Sequence, residues 1–222
     1  MDDLERRLAD ARARMDRASE ALRPKHKGGE WEELHAAYDE LIDAERALAL
    51  ERGEECALAC DGFPPWDIGA PCPQLLSGSR GTILTYFVRE PSPGWDGSSV
   101  RIVDVADDSL ATIAIVRFRR VTAVRIGSPN DEVIEGHPLH GHGLVAYRAH
   151  VVTRSRWVHE LQTINSVHQR YDPARWTDRK HYLLAFHDET FECVASGFDV
   201  EIRRSRMADV CRAALEEVLG TE

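Results

Sequence analysis

Hydrophobic residues recur with helical spacing through the first quarter of the chain. Between Asp2 and Arg23 the apolar side chains lie alternately four and three residues apart, at Leu4, Leu8, Ala11, Met15, Ala18 and Leu22. This heptad pattern is typical of a seam on a helix about 30 Å long. Pro24 and Gly28-Gly29 interrupt it, and a second apolar stripe predicts a helix from about Glu30 to Glu55. We therefore predict an antiparallel helical hairpin that packs on its own domain or on a second copy of the chain.

Alternation of apolar and polar residues dominates the later part of the chain. It is clearest from Lys180 to Arg203, on either side of the polar residues His187–Thr190. This pattern predicts two antiparallel strands joined by a tight turn, followed by a third strand after Gly197. Further strands are predicted at residues 82–88, 100–105, 110–118, 119–126 and 146–153. Helices are predicted to begin after Ser155 and Ser205, and Ser155 is the expected cap of the first of these.

Together these elements predict an α+β fold: a mostly antiparallel, curved sheet with two packed helices and an N-terminal helical hairpin. Residues 56–81 are rich in Pro and Gly, which is typical of a loop or linker. The predicted organisation is a helical hairpin at 1–55, a linker at 56–81 and an α+β domain at 82–222.

Composition narrows the classes of function. A formal net charge of -10 repels a phosphate backbone and argues against nucleic-acid binding. The chain has no apolar run of about 18 residues, and its charged start is unlike a secretory signal, so we expect no membrane span and a cytoplasmic location. The 5 cysteines are scattered, which favours reduced thiols over a disulfide framework. Frequent Ala, Arg and Asp with few Lys fit a bacterial source.

Four short motifs carry a resemblance. They are Gly69–Pro73 (GAPCP), Pro129–Glu132 running on to Glu135–Leu139 (PNDE..EGHPL), Asn165–His168 (NSVH) and Phe186–Cys193 (FHDETFEC). In these motifs the chain resembles an uncharacterised bacterial protein family, over most of the sequence after Trp66. The resemblance implies no activity.

The polar segment 127–144 contains three histidines, His137, His140 and His142, in the pattern H-x-x-H-x-H. Imidazoles this close together on a glycine-rich backbone can bind a divalent transition metal such as Zn²⁺ or Fe²⁺, and His187 or Asp188 could complete the ligand set. The alternative is a surface loop in which the glycines form turns and the histidines bond to backbone or water. The spacing matches no established metal motif.

Two further sets of residues are candidates for chemistry. His187 and Asp188 at the turn form a candidate acid-base pair, with Glu192 as a second base; the alternative is that Asp188 closes the turn and His187 ends the strand. Arg117 and Arg119 are candidate substrate-binding residues that could hold a carboxylate or phosphate, unless they face outward and only solubilise the sheet.

Two functions follow from these residues. The first is a small-molecule enzyme, such as a metal-assisted hydrolase or lyase, with a pocket between loop 127–144 and turn 187–192. The alternative is a non-catalytic binding, immunity or regulatory module that uses the helical hairpin to form a homodimer or to bind a partner. An enzyme requires the named side chains to converge, whereas a binding module leaves them scattered.

Overall fold

The computed structural model describes residues 3–22, 29–90 and 104–220. Most of the strand predicted at 100–105 falls outside these ranges. The predicted helical pair is present as α1 (Asp3–Leu22) and α2 (Glu30–Glu51). The helices are antiparallel, since Arg52 after α2 pairs with Glu5 near the start of α1 at 2.7 Å. The predicted seam is buried inside the pair, where Leu8 and Ala11 pack against side chains of α2.

Strands form two separate antiparallel sheets. Among the described residues they are β1 (Cys56–Ala59), β2 (Gln74–Gly78), β3 (Gly81–Phe87), β4 (Ala111–Arg119), β5 (Ala123–Gly127), β6 (Ala149–Thr153), β7 (Lys180–Ala185), β8 (Thr190–Ala195) and β9 (Gly197–Ser205). The first sheet has the order β1-β6-β7-β8-β5 and the second the order β2-β3-β4-β9. The α+β fold with antiparallel sheets and an N-terminal helical pair is confirmed.

The chain passes from the first sheet to the second within Lys180–Arg203, where apolar and polar residues alternate without a visible break. Between β8 and β9 only Ser196 intervenes, and its backbone N–H donates to the Arg119 carbonyl at the end of β4. A Cβ atom at Gly197 would lie 2.6 Å from the end of the Arg119 side chain, which would have to shift. The crossing lets the two sheets bury their inner faces together. Aromatic side chains from both sheets, among them Tyr86, Phe118, Phe186 and Phe191, form this core.

The outer faces of the two sheets are covered differently. Helix α4 (Met207–Leu219) packs its apolar stripe on the second sheet, where Met207 and Val210 contact Ile83 and Ile113. The outer face of the first sheet is covered by the segment after β5, which contains a 3₁₀ helix (Asp131–Gly136) and lays two leucines over the strands. Helix α3 (Arg156–Asn165) lies beside this segment, and the predicted cap is confirmed because Ser155 Oγ accepts from the Val158 N–H.

Two strands, β1 and β2, lie in the Pro/Gly-rich segment 56–81, where no strand was expected. Strand β1 connects the helical pair to the first sheet. The Arg46 side chain of α2 donates to the carbonyl oxygens of Ala57 (3.0 Å) and Gly143 (3.1 Å). Gly143 has φ +84°, and a Cβ atom there would lie 2.8 Å from the Ala57 carbonyl oxygen. The helical pair is thus docked through α2, and the division of the chain at 55 and 81 stays a prediction.

No helix in the described part of the chain is long and apolar enough to cross a membrane.

Candidate functional site

The chemistry-bearing side chains gather on the outer face of the first sheet. In β7 and β8 alternate residues point inward, as Tyr182 and Cys193 do in the core between the sheets. His181 and Glu192 therefore point outward, toward the covering segment and α3. Arg125 of β5 stands directly opposite Glu192 in the strand pairing, so three polar side chains meet on one face.

Glu192 is the centre of the first cluster. Its carboxylate accepts hydrogen bonds from His181 Nε2 at 2.7 Å and from Arg125 Nε at 2.7 Å. His137, from the covering segment, places its Nε2 3.9 Å from the same carboxylate. Glu192 is only 5% exposed. A buried carboxylate with this many cationic or N–H partners ties two strands and the covering segment together.

His181 is held from both sides. Its Nδ1 lies 2.9 Å from Ser155 Oγ, and because the carboxylate of Glu192 can only accept, His181 Nε2 carries the proton and Nδ1 accepts from the hydroxyl. The Trp157 ring packs edge-on to the imidazole, with centroids 5.1 Å apart. The Arg125 guanidinium lies 4.6 Å from the centroid of the same indole. The chain Ser155–His181–Glu192 resembles a nucleophile–base–acid relay, but all three residues are buried.

Electrostatics keep Glu192 ionised. Burial of its carboxyl group by itself raises its pKa. The imidazoles of His137 and His181, with a smaller contribution from Arg125, outweigh burial and hold the pKa of Glu192 well below the usual value for a glutamate.

A second cluster is formed by His187, Asp131 and Tyr147, at the contact between the covering segment and the β7–β8 turn. His187 Nδ1 lies 3.0 Å from Asp131 Oδ2 and 3.0 Å from the Tyr147 hydroxyl. The Tyr147 hydroxyl also donates to Asp131 Oδ2. The backbone closes the contact, because the Asp131 N–H donates to the His187 carbonyl at 3.0 Å and Thr190 Oγ1 donates to the Pro129 carbonyl at 2.8 Å.

Proton positions in this second cluster follow from the partners. The hydrogen bond from the Tyr147 hydroxyl lowers the pKa of Asp131, burial raises it, and His187 lowers it further. The net effect is a pKa below the usual value for an aspartate. Burial, and then the Asp131 carboxylate, raise the pKa of Tyr147 to about 12, so its hydroxyl stays a donor. Asp131 accepts from both neighbours, which assigns the His187 proton to Nδ1 and leaves Nε2 as a free acceptor. The imidazole side chain is 37% exposed, so a solute can reach it.

The backbone at Tyr147 is unusual. Tyr147 has φ +60°, in the left-handed region that a bulky residue rarely adopts. Its N–H donates to the Ala185 carbonyl at 2.9 Å, which anchors it on β7. Its ring lies nearly parallel to the His187 imidazole, with 18° between the planes. Backbone strain of this kind is concentrated at functional sites in proteins of known activity.

Two carboxyl groups follow His187 in the β7–β8 turn, those of Asp188 and Glu189. Burial, and then the negative charges of Asp188, Asp104, Asp67 and Glu189, raise the pKa of the Cys72 thiol. The field of the two turn carboxylates favours an approaching cation at His187 and disfavours an anion.

The predicted acid-base pair has a different carboxylate partner from the one expected. Asp188 Oδ1 lies 3.9 Å from His187 Nε2, and the Asp188 side chain is 75% exposed. The carboxylate in hydrogen-bonding contact with His187 is Asp131, which was not among the predicted site residues. Glu192, the predicted second base, is hydrogen-bonded to His181 and Arg125.

The three histidines of the predicted metal site are not brought together. His137 faces Glu192, whereas His142 Nε2 lies 3.2 Å from Glu54 at the end of the helical pair, and His140 lies beside it. Within residues 3–22, 29–90 and 104–220, no group of three or more His, Cys, Asp and Glu side chains is arranged to hold a metal ion. Binding of Zn²⁺ or Fe²⁺ stays a prediction.

The two candidate substrate-binding arginines form ion pairs on the second sheet. Arg117 donates to Glu217 of α4 at 2.8 Å and to Glu201 of β9 at 3.0 Å. Arg119 donates to both oxygens of Asp199 and also lines a cavity of about 890 Å³ beside the β2–β3 hairpin. A substrate role for either arginine stays a prediction.

Searches of known protein families, of curated proteins and of solved structures found no match to this chain. The resemblance to an uncharacterised bacterial family is accordingly still a prediction.

Proposed function

We propose that the protein is a small-molecule enzyme in which His187 is the general base. The observation that carries this proposal is the geometry at His187: its Nδ1 is held by Asp131, its side chain is 37% exposed, and its Nε2 makes no hydrogen bond to a residue that the structure describes. An imidazole oriented in this way by a carboxylate can accept a proton near neutral pH.

Each side chain of the cluster has a distinct role in the proposal. His187 Nε2 takes a proton from a water molecule that attacks the substrate, or from the substrate itself. The Asp131 carboxylate stabilises the imidazolium that forms, and Tyr147 fixes the position of that carboxylate. The reaction is then a hydrolysis or an elimination, in which the proton returns from His187 to the leaving group.

The surrounding charges define the class of substrate. Because the carboxyl groups of Asp188 and Glu189 follow His187 in the turn, we expect a neutral or positively charged small molecule in preference to an anion. The metal-assisted form of the reaction requires the histidines of loop 127–144 to act together. A metal ion there would be an addition to the proton transfer at His187.

The binding function remains the second candidate, and one observation limits how it would work. The apolar seam of α1 is occupied within the chain, since Leu8, Ala11 and Ala18 are buried. A homodimer or a partner would have to use another surface, such as the start of α2, where Trp31 is 49% exposed.

The proposal is tested by comparing the turnover of wild-type protein and His187→Ala on a panel of small esters, amides and amines that carry a leaving group. Each type of compound is represented by a cationic, a neutral and an anionic member. We expect wild-type turnover to be fastest with cationic or neutral compounds, and His187→Ala to lower kcat/KM by about 10²–10⁴-fold, as is usual for loss of a general base.

Two matched variants control this experiment. His159→Ala removes an exposed histidine of α3 and should leave turnover unchanged. Asp131→Asn should lower kcat, since the amide can no longer fix the proton on Nδ1, whereas Asp188→Asn should have a smaller effect. Equal turnover by wild type and His187→Ala, or no turnover by the wild type across the panel, would contradict the proposal.

A further inference from the structure

A second cavity lies between the helical pair and the tip of the covering segment, away from His187. It has a volume of about 480 Å³ and is lined by residues of α1 and α2 and by His140–His142. Cavities of a few hundred to about 1,000 Å³ are the size that binds small molecules in proteins.

Glu45 is the unusual residue of this cavity. It lies on the inner side of α2, is 7% exposed, and lines the cavity. No hydrogen bond or ion pair joins its side chain to another residue in the part of the chain that the structure describes. Neither carboxylate oxygen is among the fully enclosed unpaired atoms of the described residues, so the group opens into the cavity. Carboxyl groups on the inner side of a fold are nearly always paired, and a cation in the cavity would complete this one.

Comparison with Glu192 shows what is missing. Glu192 is about as buried, at 5% exposure, yet it is bonded to His181 and Arg125. Glu45 has no equivalent, although His142 and Glu54 pair with each other at 3.2 Å in the same cavity. The negative charge of Glu45 acts on its surroundings, since it helps to raise the pKa of Tyr38, after burial.

We propose that this cavity binds a small organic ammonium compound, whose cationic nitrogen pairs with Glu45. The walls also carry Arg12 and Arg52, and Arg52 is paired with Glu5 at 2.7 Å. Leu8, Leu48 and Ala49 offer an apolar surface for an alkyl chain. An organic ligand fits better than a bare metal ion, since no three or more His, Cys, Asp and Glu side chains among the described residues are arranged to hold a metal. The inference does not rest on catalysis at His187.

Binding can be measured by NMR titration of the full chain with 1,4-diaminobutane, with 1,4-butanediol as a neutral compound of the same length. We expect saturable shifts with the diamine, centred on the amides of Glu45, His140 and His142, and none with the diol. Glu45→Gln should weaken binding at least about 10-fold, because a charged hydrogen bond is lost. Glu51→Gln, which removes an exposed carboxyl group at the end of the same helix, should bind as the wild type does.

The melting temperature without ligand provides a second readout. If Glu45 is kept for a ligand, Glu45→Gln removes an unpaired buried charge and should raise Tm by about 2–4 °C. The proposal is overturned if Glu45→Gln binds the diamine as tightly as the wild type, if the diamine shows no saturable binding at millimolar concentration, or if Glu45→Gln lowers Tm.

Discussion

Two polar clusters lie on the same face of the same sheet, yet they differ in what they can do. In the Glu192 cluster both nitrogens of His181 are bonded, and the carboxylate is buried. In the His187 cluster only Nδ1 is bonded to a carboxylate, and the imidazole is partly exposed. The first arrangement uses all its donors to hold the fold together, whereas the second leaves one nitrogen free.

The difference shows that a titratable cluster is not by itself an active site. Ser155, His181 and Glu192 have the residue types and the order of a catalytic relay, but the hydroxyl caps α3 and lies out of contact with solvent. His187, at the β7–β8 turn, has no such serine–histidine–glutamate order among the described residues around it. A proton can be exchanged with a substrate where a ring nitrogen such as Nε2 is not already engaged in a hydrogen bond. The number of ionisable neighbours does not decide this.

The largest expected effect is on stability, at Glu192. Glu192→Ala leaves the buried His181 and the more exposed Arg125 without their acceptor, which should lower the free energy of unfolding by about 3 kcal/mol. Urea denaturation followed by circular dichroism measures this loss. The control is Glu201→Ala, which breaks exposed pairs with Arg117 and Arg203 and should cost about 1 kcal/mol or less. Similar losses in the two variants would mean that the Glu192 cluster is not structural.

Acid should weaken the two clusters to different extents. The folded pKa values of Glu192 and Asp131 are both lowered, so each group stabilises the fold fully above its unfolded pKa of about 4. That stabilisation is lost as the pH falls through the folded pKa. Unfolding free energy measured from neutral to acid pH should therefore decline below about pH 4. Glu192→Gln should flatten this decline more than Asp131→Asn does. An equal slope in the wild type and both variants would contradict the claim that these two carboxylates cause the loss of stability in acid.

A smaller effect is expected at Tyr147. Tyr147→Phe removes the hydroxyl that donates to Asp131, which should lower the unfolding free energy by about 1 kcal/mol. Because that hydroxyl is the largest cause of the lowered pKa of Asp131, the pKa should rise in the variant. Carbon-detected NMR of the Asp131 carboxyl group measures the change. An unchanged Asp131 titration would mean that the hydroxyl does not orient the carboxylate.

Much of the fold could be predicted because local pattern determines it. Alternation correctly indicated β7, β8 and β9, and heptad spacing indicated α1 and its partner α2. Alternation could not show that the chain changes sheet at Ser196, since both strands keep the same period across the crossing. Strands β1 and β2 were missed because they are short and lie in a segment rich in Pro and Gly.

Part of the site was also within reach of the sequence. His187 and Glu192 were predicted from their place beside a turn, and His181 could have been added, because it shares the outward parity of Glu192 across the hairpin. Asp131 and Tyr147 lie far from His187 in the chain, and only the folded backbone brings them together. Nothing in the spacing of polar residues indicates which distant carboxylate reaches an imidazole.

The tautomer of His187 tests the central claim most directly. Long-range proton–nitrogen correlation NMR on labelled protein reports which ring nitrogen carries the proton, at a pH where the imidazole is neutral. The geometry predicts protonated Nδ1 and a free Nε2 in the wild type, with a mixture of tautomers in Asp131→Asn, and Asp188→Asn unchanged. A wild-type imidazole protonated at Nε2 would contradict the claim, because His187 would then have no free acceptor to present to a substrate.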